Sequence, residues 1–306
     1  MRSLVTGGAG FIGSHLVKGL IEAGDEVVVL DNLSTGQLKN LEGLPIDFIE
    51  GDIRDADAVH AAMAGVQRVF HLAAMISAPE SMKQPQKCYE INLSGSLQVL
   101  EEARQSGVEC VVLSSSAALY GGLEGEVSEE SPLHPLSPYA ASKLAMEQAA
   151  TLYSDIYALK TIILRYFNVY GPGQSPDSPY AAAIPSFIQC ILRSQPPIIF
   201  GDGEQTRDFV FVKDIVRANL MAAEAGERGM YNIASGNSVT LLELLAVLHD
   251  LIPESLPPVF KPVRPGDVRL SAASIKKAQS SLGYRPTYDM RTGLVDTIQW
   301  FREGMA

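Results

Sequence analysis

Cysteine is scarce in this chain of 306 residues: Cys88, Cys110 and Cys190 are the whole complement, and they lie far apart. So few and so scattered, they make neither a disulfide framework nor a metal knuckle, and they read as small buried hydrophobes. No metal is expected. Charge is thin as well. Charged residues make up 19% of the chain, and 24 Lys and Arg against 35 Asp and Glu leave a net charge of −11. With no basic run against that balance, nucleic acid is not expected as a partner. Long apolar runs are missing too, since no stretch approaches the ~20 residues that a spanning helix needs. No membrane contact is expected. The opening Met1-Arg2-Ser3-Leu4-Val5-Thr6-Gly7 turns glycine-rich before the apolar centre of a secretory leader can form. A cytoplasmic protein is the expectation.

What is present is a chain with 46% apolar residues, which excludes disorder and supplies a substantial core. Short β-branched runs alternate with helix-like stretches through the first half. Ser3–Thr6, Glu26–Leu30, Ile46–Glu50, Arg68–Leu72, Glu109–Ser114 and Thr161–Arg165 read as strands. Phe11–Ala23, Ala56–Met63, Pro85–Gln105 and Pro138–Tyr157 read as helices between them. Such alternation predicts an α/β fold: a doubly wound parallel sheet with right-handed crossovers and helices on both faces. Uniformly apolar runs such as Val27-Val28-Val29-Leu30 suit strands buried on both sides. Past Asn168 prolines and glycines multiply and the elements shorten, which predicts a smaller C-terminal lobe with a tail helix near Met290–Phe301. The expected division is residues 1–167 as one domain, with 208–224 rejoining it, and 168–207 plus 225–306 as the substrate-binding lobe.

Thr6-Gly7-Gly8-Ala9-Gly10-Phe11-Ile12-Gly13 joins the first strand to the first helix. Gly7, Gly10 and Gly13 fall where a chain turns sharply, approaches a pyrophosphate closely, and packs helix on strand. The helix N-terminus there offers N–H groups to an anion. Asp31 closes the second strand, where a carboxylate accepts hydrogen bonds from a ribose diol and repels a 2′-phosphate, so NAD is favoured over NADP. A solvated turn residue is the other reading of Asp31. Asp52 either accepts from an adenine amino group or caps the helix that follows.

Tyr139-Ala140-Ala141-Ser142-Lys143 puts a phenol and an ammonium on one helical face. A cation beside a tyrosine favours the phenolate and makes it a usable general base, so a lowered Tyr139 pKa is expected. Ser114-Ser115-Ser116 at the end of a buried strand supplies a hydroxyl for the same substrate oxygen.

Taken together these residues resemble the extended short-chain dehydrogenase/reductases, and within them the UDP-glucose 4-epimerase subfamily. The motifs run nearly end to end: TGGAGFIG at 6–13, DNLSTG at 31–36, GDIRD at 51–55, HLAA at 71–74, SSSAALYG at 114–121, SPYAASK at 137–143, RYFNVYGPG at 165–173, GDGEQTRDFVFVKD at 201–214 and RPGD at 264–267. The resemblance implies a Rossmann-type fold and a catalytic triad of Ser116, Tyr139 and Lys143. It implies that NAD is bound by Gly7, Gly10, Phe11, Ile12, Gly13, Asp31, Asn32, Ser34, Gly36, Asp52, Ile53, Leu72, Ala73, Ala74, Tyr139, Lys143 and Tyr166. It places Ser116, Asn168, Arg207, Arg264, Asp267 and Ser271 around a UDP-sugar; guanidinium forks suit a diphosphate.

Related 4,6-dehydratases carry an Asp-Glu pair where this chain has Ala117 and Ala118, and related decarboxylases carry a glutamate there. Alanine transfers no proton, so the resemblance implies 4-oxidation and hydride return, which is epimerisation. Known epimerases have a lysine at the position of Ile76, a departure that touches the cofactor contact. An NAD-dependent sugar dehydrogenase or 4-ketosugar reductase of the same fold is the alternative, and a silent dinucleotide sensor is a third reading. Ser271 stands where a tyrosine restricts the family's sugar pocket, so room for an N-acetyl group is expected; Ser271 is also a candidate N-cap for a helix near Ala272. A homodimer is implied, its helices pairing across a two-fold axis, with Leu93, Leu97, Leu100, Leu144 and Leu152 either in that interface or in the core.

Overall fold

The computed structural model describes residues 1–176, 182–226, 228–263 and 268–304. In chain order the strands are β1 (Arg2–Thr6), β2 (Glu26–Asp31), β3 (Ile46–Glu50), β4 (Arg68–His71), β5 (Cys110–Ser116), β6 (Glu126–Val127), β7 (Lys160–Tyr166), β8 (Asn168–Tyr170), β9 (Ile198–Phe200), β10 (Thr206–Phe211), β11 (Gly229–Ile233), β12 (Ser238–Thr240), β13 (Val259–Lys261) and β14 (Ala272–Ala273). The helices are α1 (Phe11–Glu22), α2 (Ala56–Ala62), α3 (Ala78–Lys83), α4 (Pro85–Tyr89), α5 (Ser96–Gln105), α6 (Pro138–Tyr157), α7 (Ala183–Leu192), α8 (Val212–Glu224), α9 (Leu241–Leu251), α10 (Lys276–Leu282) and α11 (Met290–Glu303). Among the described residues no helix is long and apolar enough to cross a membrane, and no acid, histidine and cysteine cluster could hold a metal ion.

Seven strands form the main sheet in the order β3-β2-β1-β4-β5-β7-β11, every neighbouring pair parallel. The chain winds outward from β1 to β3, then crosses back to β4 and winds the other way. That reversal opens a crevice at the carboxyl ends of β1 and β4, where open α/β sheets bind ligands. Alternate side chains of β5 and β7 divide between two cores. Val112, Ile162 and Leu164 pack with Leu16, Leu20, Ile215 and Ala218 of α1 and α8 on one face. Val111, Leu113 and Ile163 pack with Val59, Leu100 and Met146 of α2, α5 and α6 on the other. A third cluster, including Phe187, Leu244, Leu248, Ile298 and Phe301, is the core of the C-terminal lobe.

Two expectations need correction. The helix expected over Pro85–Gln105 is interrupted: α4 ends at Tyr89, Glu90–Gly95 form a π-helical turn, and α5 begins at Ser96. Periodicity cannot show this, because one wide turn shifts the apolar stripe by only one residue. The lobe boundary also moves. Gly229–Ile233, expected in 225–306, pairs with β7 as the seventh strand, its buried Asn232 reading as surface until the sheet is assembled. Within 208–224, β10 joins β8 and β12 in a separate three-stranded sheet while α8 packs on α1.

Candidate active site

The glycine turn at the end of β1 is built by close approach. Gly7 has φ +73°, and a Cβ on it would lie 2.7 Å from the Ala73 nitrogen. A Cβ on Gly13 would lie 2.1 Å from the Gly7 carbonyl oxygen, so α1 can pack on the turn only without one. Gly10 precedes α1, whose first N–H groups carry no side-chain cap, as an anion site requires. Phe11 and Ile12 open that helix. Asp31 is buried at the end of β2, which removes the solvated-turn reading. Its carboxylate accepts from Ala9 N (2.9 Å) and Leu33 N (2.8 Å), tying glycine turn to strand end. Two of its four lone-pair directions remain for a ribose diol. The loop beyond it, with Ser34 and Gly36, folds back onto the turn through Gln37 N to Ala9 O (3.0 Å).

Asn32 donates to Asp52 (2.8 Å), and Arg54 grips the Asp52 carboxylate with Nε at 2.8 Å and Nη2 at 2.9 Å. That guanidinium holds the Asp52 carboxyl well below the usual carboxylate range. Asp52 does not cap α2; Asp55 does, accepting from Asp57 N and Ala58 N. Ile53 is buried against α5's side of the sheet. Leu72, Ala73 and Ala74, at the end of β4, stay partly exposed along the crevice, whereas Ile76 is 70% exposed beyond it. This set fits a dinucleotide: a bare helix N-terminus for the pyrophosphate and a buried carboxylate for the ribose.

Ser116 ends β5, two residues beyond the expected strand end. Three serines have little strand preference, but pairing of Ser114, Ser115 and Ser116 with Leu164, Arg165 and Tyr166 draws them into the ladder. Ser116 Oγ accepts from Ala118 N (3.1 Å), and its hydroxyl lies near enough to the Tyr139 hydroxyl to favour the phenolate. Tyr139 sits in the first turn of α6, which Ser137 caps. Lys143 lies one turn on, 3% exposed, its Nζ donating to Ser114 O (2.7 Å). Burial pulls the Lys143 ammonium down to about 8, with Glu147 opposing it. For Tyr139 the expected lowering is overturned: burial pushes its pKa up, and only the Ser116 hydroxyl acts against that. Desolvation of the phenolate dominates, and the Lys143 ammonium, committed to the Ser114 carbonyl, does not offset it.

Beside Ser116 a pocket of about 300 Å³ opens between the main sheet and the lobe. Ala117, Ala118, Tyr120, Tyr166, Asn168, Arg207 and Ser271 line it. Asn168 Nδ2 donates to Asp208 O (3.2 Å), and Arg207 Nη1 donates to Val268 O (2.6 Å). The Tyr166 hydroxyl exchanges hydrogen bonds with Asn219 of α8, so that residue meets the pocket through its ring and backbone. No helix starts near Ala272; that segment is β14, paired with β6, and α10 begins only at Lys276. Ser271 therefore caps nothing. Its backbone is pinned between Thr206 and Ser238 where it lines the pocket. Arg264 and Asp267 lie outside the described residues.

Sequence reasoning missed Asn92, buried in the π-helical turn. Its amide accepts from Met75 N (2.8 Å) and donates to Met75 O (3.0 Å) and Ser142 Oγ (3.0 Å), joining the crevice to α6. It also missed Asp208, Tyr120, Glu147 and Arg165; a charged residue closing the apolar run Ile162-Ile163-Leu164-Arg165 was the available signal.

The sequence pattern of the NAD dependent epimerase/dehydratase family matches residues 3–234. A UDP-glucose 4-epimerase of Mycolicibacterium smegmatis is 37% identical over 310 residues, covering 99% of each chain. The chain belongs to the NAD-dependent epimerase/dehydratase family. Among solved members, the UDP-glucose 4-epimerase of Thermotoga maritima, crystallised with UDP-glucose, has a TM-score of 0.96 at 39% identity, covering 100% of both chains. A UDP-N-acetylglucosamine 4-epimerase from Methanobrevibacter ruminantium, in complex with UDP-N-acetylmuramic acid, has a TM-score of 0.96 at 38% identity over 99% of both. In this family member Ser116 lines the pocket and has the Tyr139 hydroxyl beside it.

Proposed function

We propose that this chain is an NAD-dependent UDP-sugar 4-epimerase, with Ser116, Tyr139 and Lys143 as its catalytic residues. One observation carries the reading: Ser116, with Tyr139 beside it, lines the pocket, while the neighbouring lining residues Ala117 and Ala118 can transfer no proton. A site with a single proton-transfer centre suits oxidation and reduction at one carbon, not elimination of water. Bound NAD would supply the acceptor, and then the donor, of one hydride at the sugar C4. Tyr139, as the phenolate that Lys143 stabilises, takes the proton of the 4-hydroxyl and becomes the phenol, while Ser116 holds the sugar oxygen. The same tyrosine returns the proton once the 4-keto sugar has turned its other face. Asn168 and Arg207, with Arg264 and Asp267, are the proposed grip on the nucleotide diphosphate.

Asp31 supports NAD over NADP, its carboxylate opposing a 2′-phosphate. Ser271, a small residue in the pocket lining, supports use of UDP-GlcNAc/UDP-GalNAc as well as UDP-glucose/UDP-galactose. A homodimer is supported by an apolar outer face on α4, α5 and α6: Tyr89, Leu97, Leu152, Ile156 and Tyr157 are all exposed. Leu100 belongs to the core, and Leu93 and Leu144 are half-buried. The three cysteines are unpaired, which suits the reducing cytoplasm.

Incubation with UDP-galactose, products separated by chromatography, tests the proposal. UDP-glucose should form with no build-up of NADH at 340 nm, and Tyr139→Phe should slow it by about 10²–10⁴-fold. NADH accumulating in step with product would establish a net dehydrogenase instead.

A further inference from the structure

Behind the catalytic pair lies a buried ionic network that the proposed chemistry leaves unused. Glu147 follows Lys143 by one turn and Tyr139 by two on the same face of α6. It is 1% exposed, and Arg165 of β7, the largest fully buried side chain described, is 2% exposed. Arg165 grips both Glu147 carboxylate oxygens, Nε at 2.9 Å and Nη2 at 2.7 Å. Its remaining nitrogen, Nη1, donates to the Tyr120 hydroxyl (2.8 Å), which donates to Asn232 Oδ1 (2.6 Å). Asn232 Nδ2 in turn donates to Val127 O and Ser274 O, both at 3.3 Å. This chain of contacts runs under the pocket from α6 to the β6–β14 wall, and Tyr120 is part of the pocket lining.

Ion pairs this deep contribute little net stability, because desolvation offsets their attraction and a well-packed apolar pair does as well. Their worth must be sought in what they place. Lys143 is a buried ammonium whose described side-chain hydrogen bond goes to a neutral carbonyl. The titratable groups around it are Tyr139 and Glu147 on its own helix, His71 at the end of β4 and Cys88 on α4. His71 is neutral at pH 7, since burial pushes it down to about 3. Around Arg165 stand Glu147, Tyr120 and, more distantly, Glu130. Among these, Glu147 is the carboxylate that acts on Lys143, and Arg165 fixes its position.

Resting on the epimerase reading, we propose that Glu147, clamped by Arg165, is a positioning residue for Lys143. Its buried carboxylate is the counter-charge that keeps the ammonium charged and in register with Tyr139 through the working pH range. Loss of that carboxylate makes Lys143 shed its proton at lower pH, so the phenolate loses its cation earlier as pH rises.

Two variants test this, Glu147→Gln and the apolar pair Glu147→Leu/Arg165→Met, which leaves no buried charge unpaired. The first readout needs no turnover: NMR titration of ¹⁵N-lysine protein, with the Lys143 signal assigned by its absence in Lys143→Arg. The second is the pH profile of kcat on UDP-galactose. In both variants the Lys143 midpoint should fall by at least about half a pH unit, a roughly three-fold change in its protonation constant. The alkaline limb of kcat should move with it, while the apolar pair keeps a Tm near that of wild type. An unmoved Lys143 midpoint overturns the proposal, as does an apolar pair that fails to fold, because the ions would then serve stability alone. Absence of epimerisation by the wild type would instead sink the epimerase reading and leave the NMR result to judge Glu147.

Discussion

His71 shows how a single buried residue ties stability to pH. Ser96 Oγ donates to Asn92 O (2.7 Å), so it accepts from His71 Nε2 (2.8 Å), and Nδ1 must then accept from Thr6 Oγ1 (2.8 Å). Only the neutral ring satisfies both partners. Burial, with the Lys143 charge adding to it, pushes the pKa from 6.5 down to about 3. A histidine depressed in the folded state contributes stability that is present above 6.5 and lost as pH falls toward 3. At pH 5 that loss is about 2 kcal/mol relative to neutral pH. Urea unfolding at pH 7 and pH 5 should therefore show a larger drop for wild type than for His71→Gln, by about that amount. Equal drops would show that His71 does not titrate on unfolding. Ser271 offers a second test at this scale. Ser271→Tyr should depress UDP-GlcNAc/UDP-GalNAc exchange at least about tenfold more than UDP-glucose/UDP-galactose exchange, because the ring would occupy the space of the acetamido group. A wild type that converts UDP-glucose but leaves UDP-GlcNAc untouched would close the open-pocket reading.

At the scale of elements, two local departures from regular structure shape the site. One is the turn from β1 into α1, where the Gly13 position has no room for a Cβ against the Gly7 carbonyl. The obstructing oxygen belongs to backbone and a Cβ has no torsion with which to evade it, so the clash can be relieved only by opening the turn. Gly13→Ala should weaken NAD binding by at least about tenfold in calorimetric titration, or ~1.4 kcal/mol. Unchanged affinity would mean that the turn does not form the pyrophosphate site. The other departure is the π-helical turn at Glu90–Gly95, which turns Asn92 inward to meet both Met75 and Ser142. In this way the segment after β4 and the helix that carries Tyr139 share one buried amide.

For the whole molecule, the exposed apolar residues of α4, α5 and α6 are the basis of the proposed dimer. Leu152 and Ile156 are 53% and 63% exposed on a helix whose opposite face is core. Light scattering should give about twice the chain mass of 32.9 kDa at micromolar concentration, and Leu152→Glu/Ile156→Glu should halve it. A wild-type mass near 32.9 kDa would remove the dimer.

The sequence by itself determined the features that depend on near neighbours. The glycine turn needs particular residues at fixed short spacing, Tyr139 and Lys143 share a face because α6 is a regular helix, and uniformly apolar runs announce buried parallel strands. Local periodicity accordingly placed Ile46–Glu50 and Pro138–Tyr157 as the structure has them. Tertiary structure decided whatever depends on partners distant in the chain. It drew Ser116 into the ladder beside Tyr166, gave β11 to the main sheet, and put Ser271 in the pocket lining just before the residues that pair with β6. It also reversed the expectation for Tyr139, since a pKa follows from how deeply packing removes a phenol from water, and packing is not a property of spacing. The Glu147–Arg165 pair belongs to the same class: two charges on separate elements, each unremarked along the chain, become mutual ligands only when α6 lies across β7.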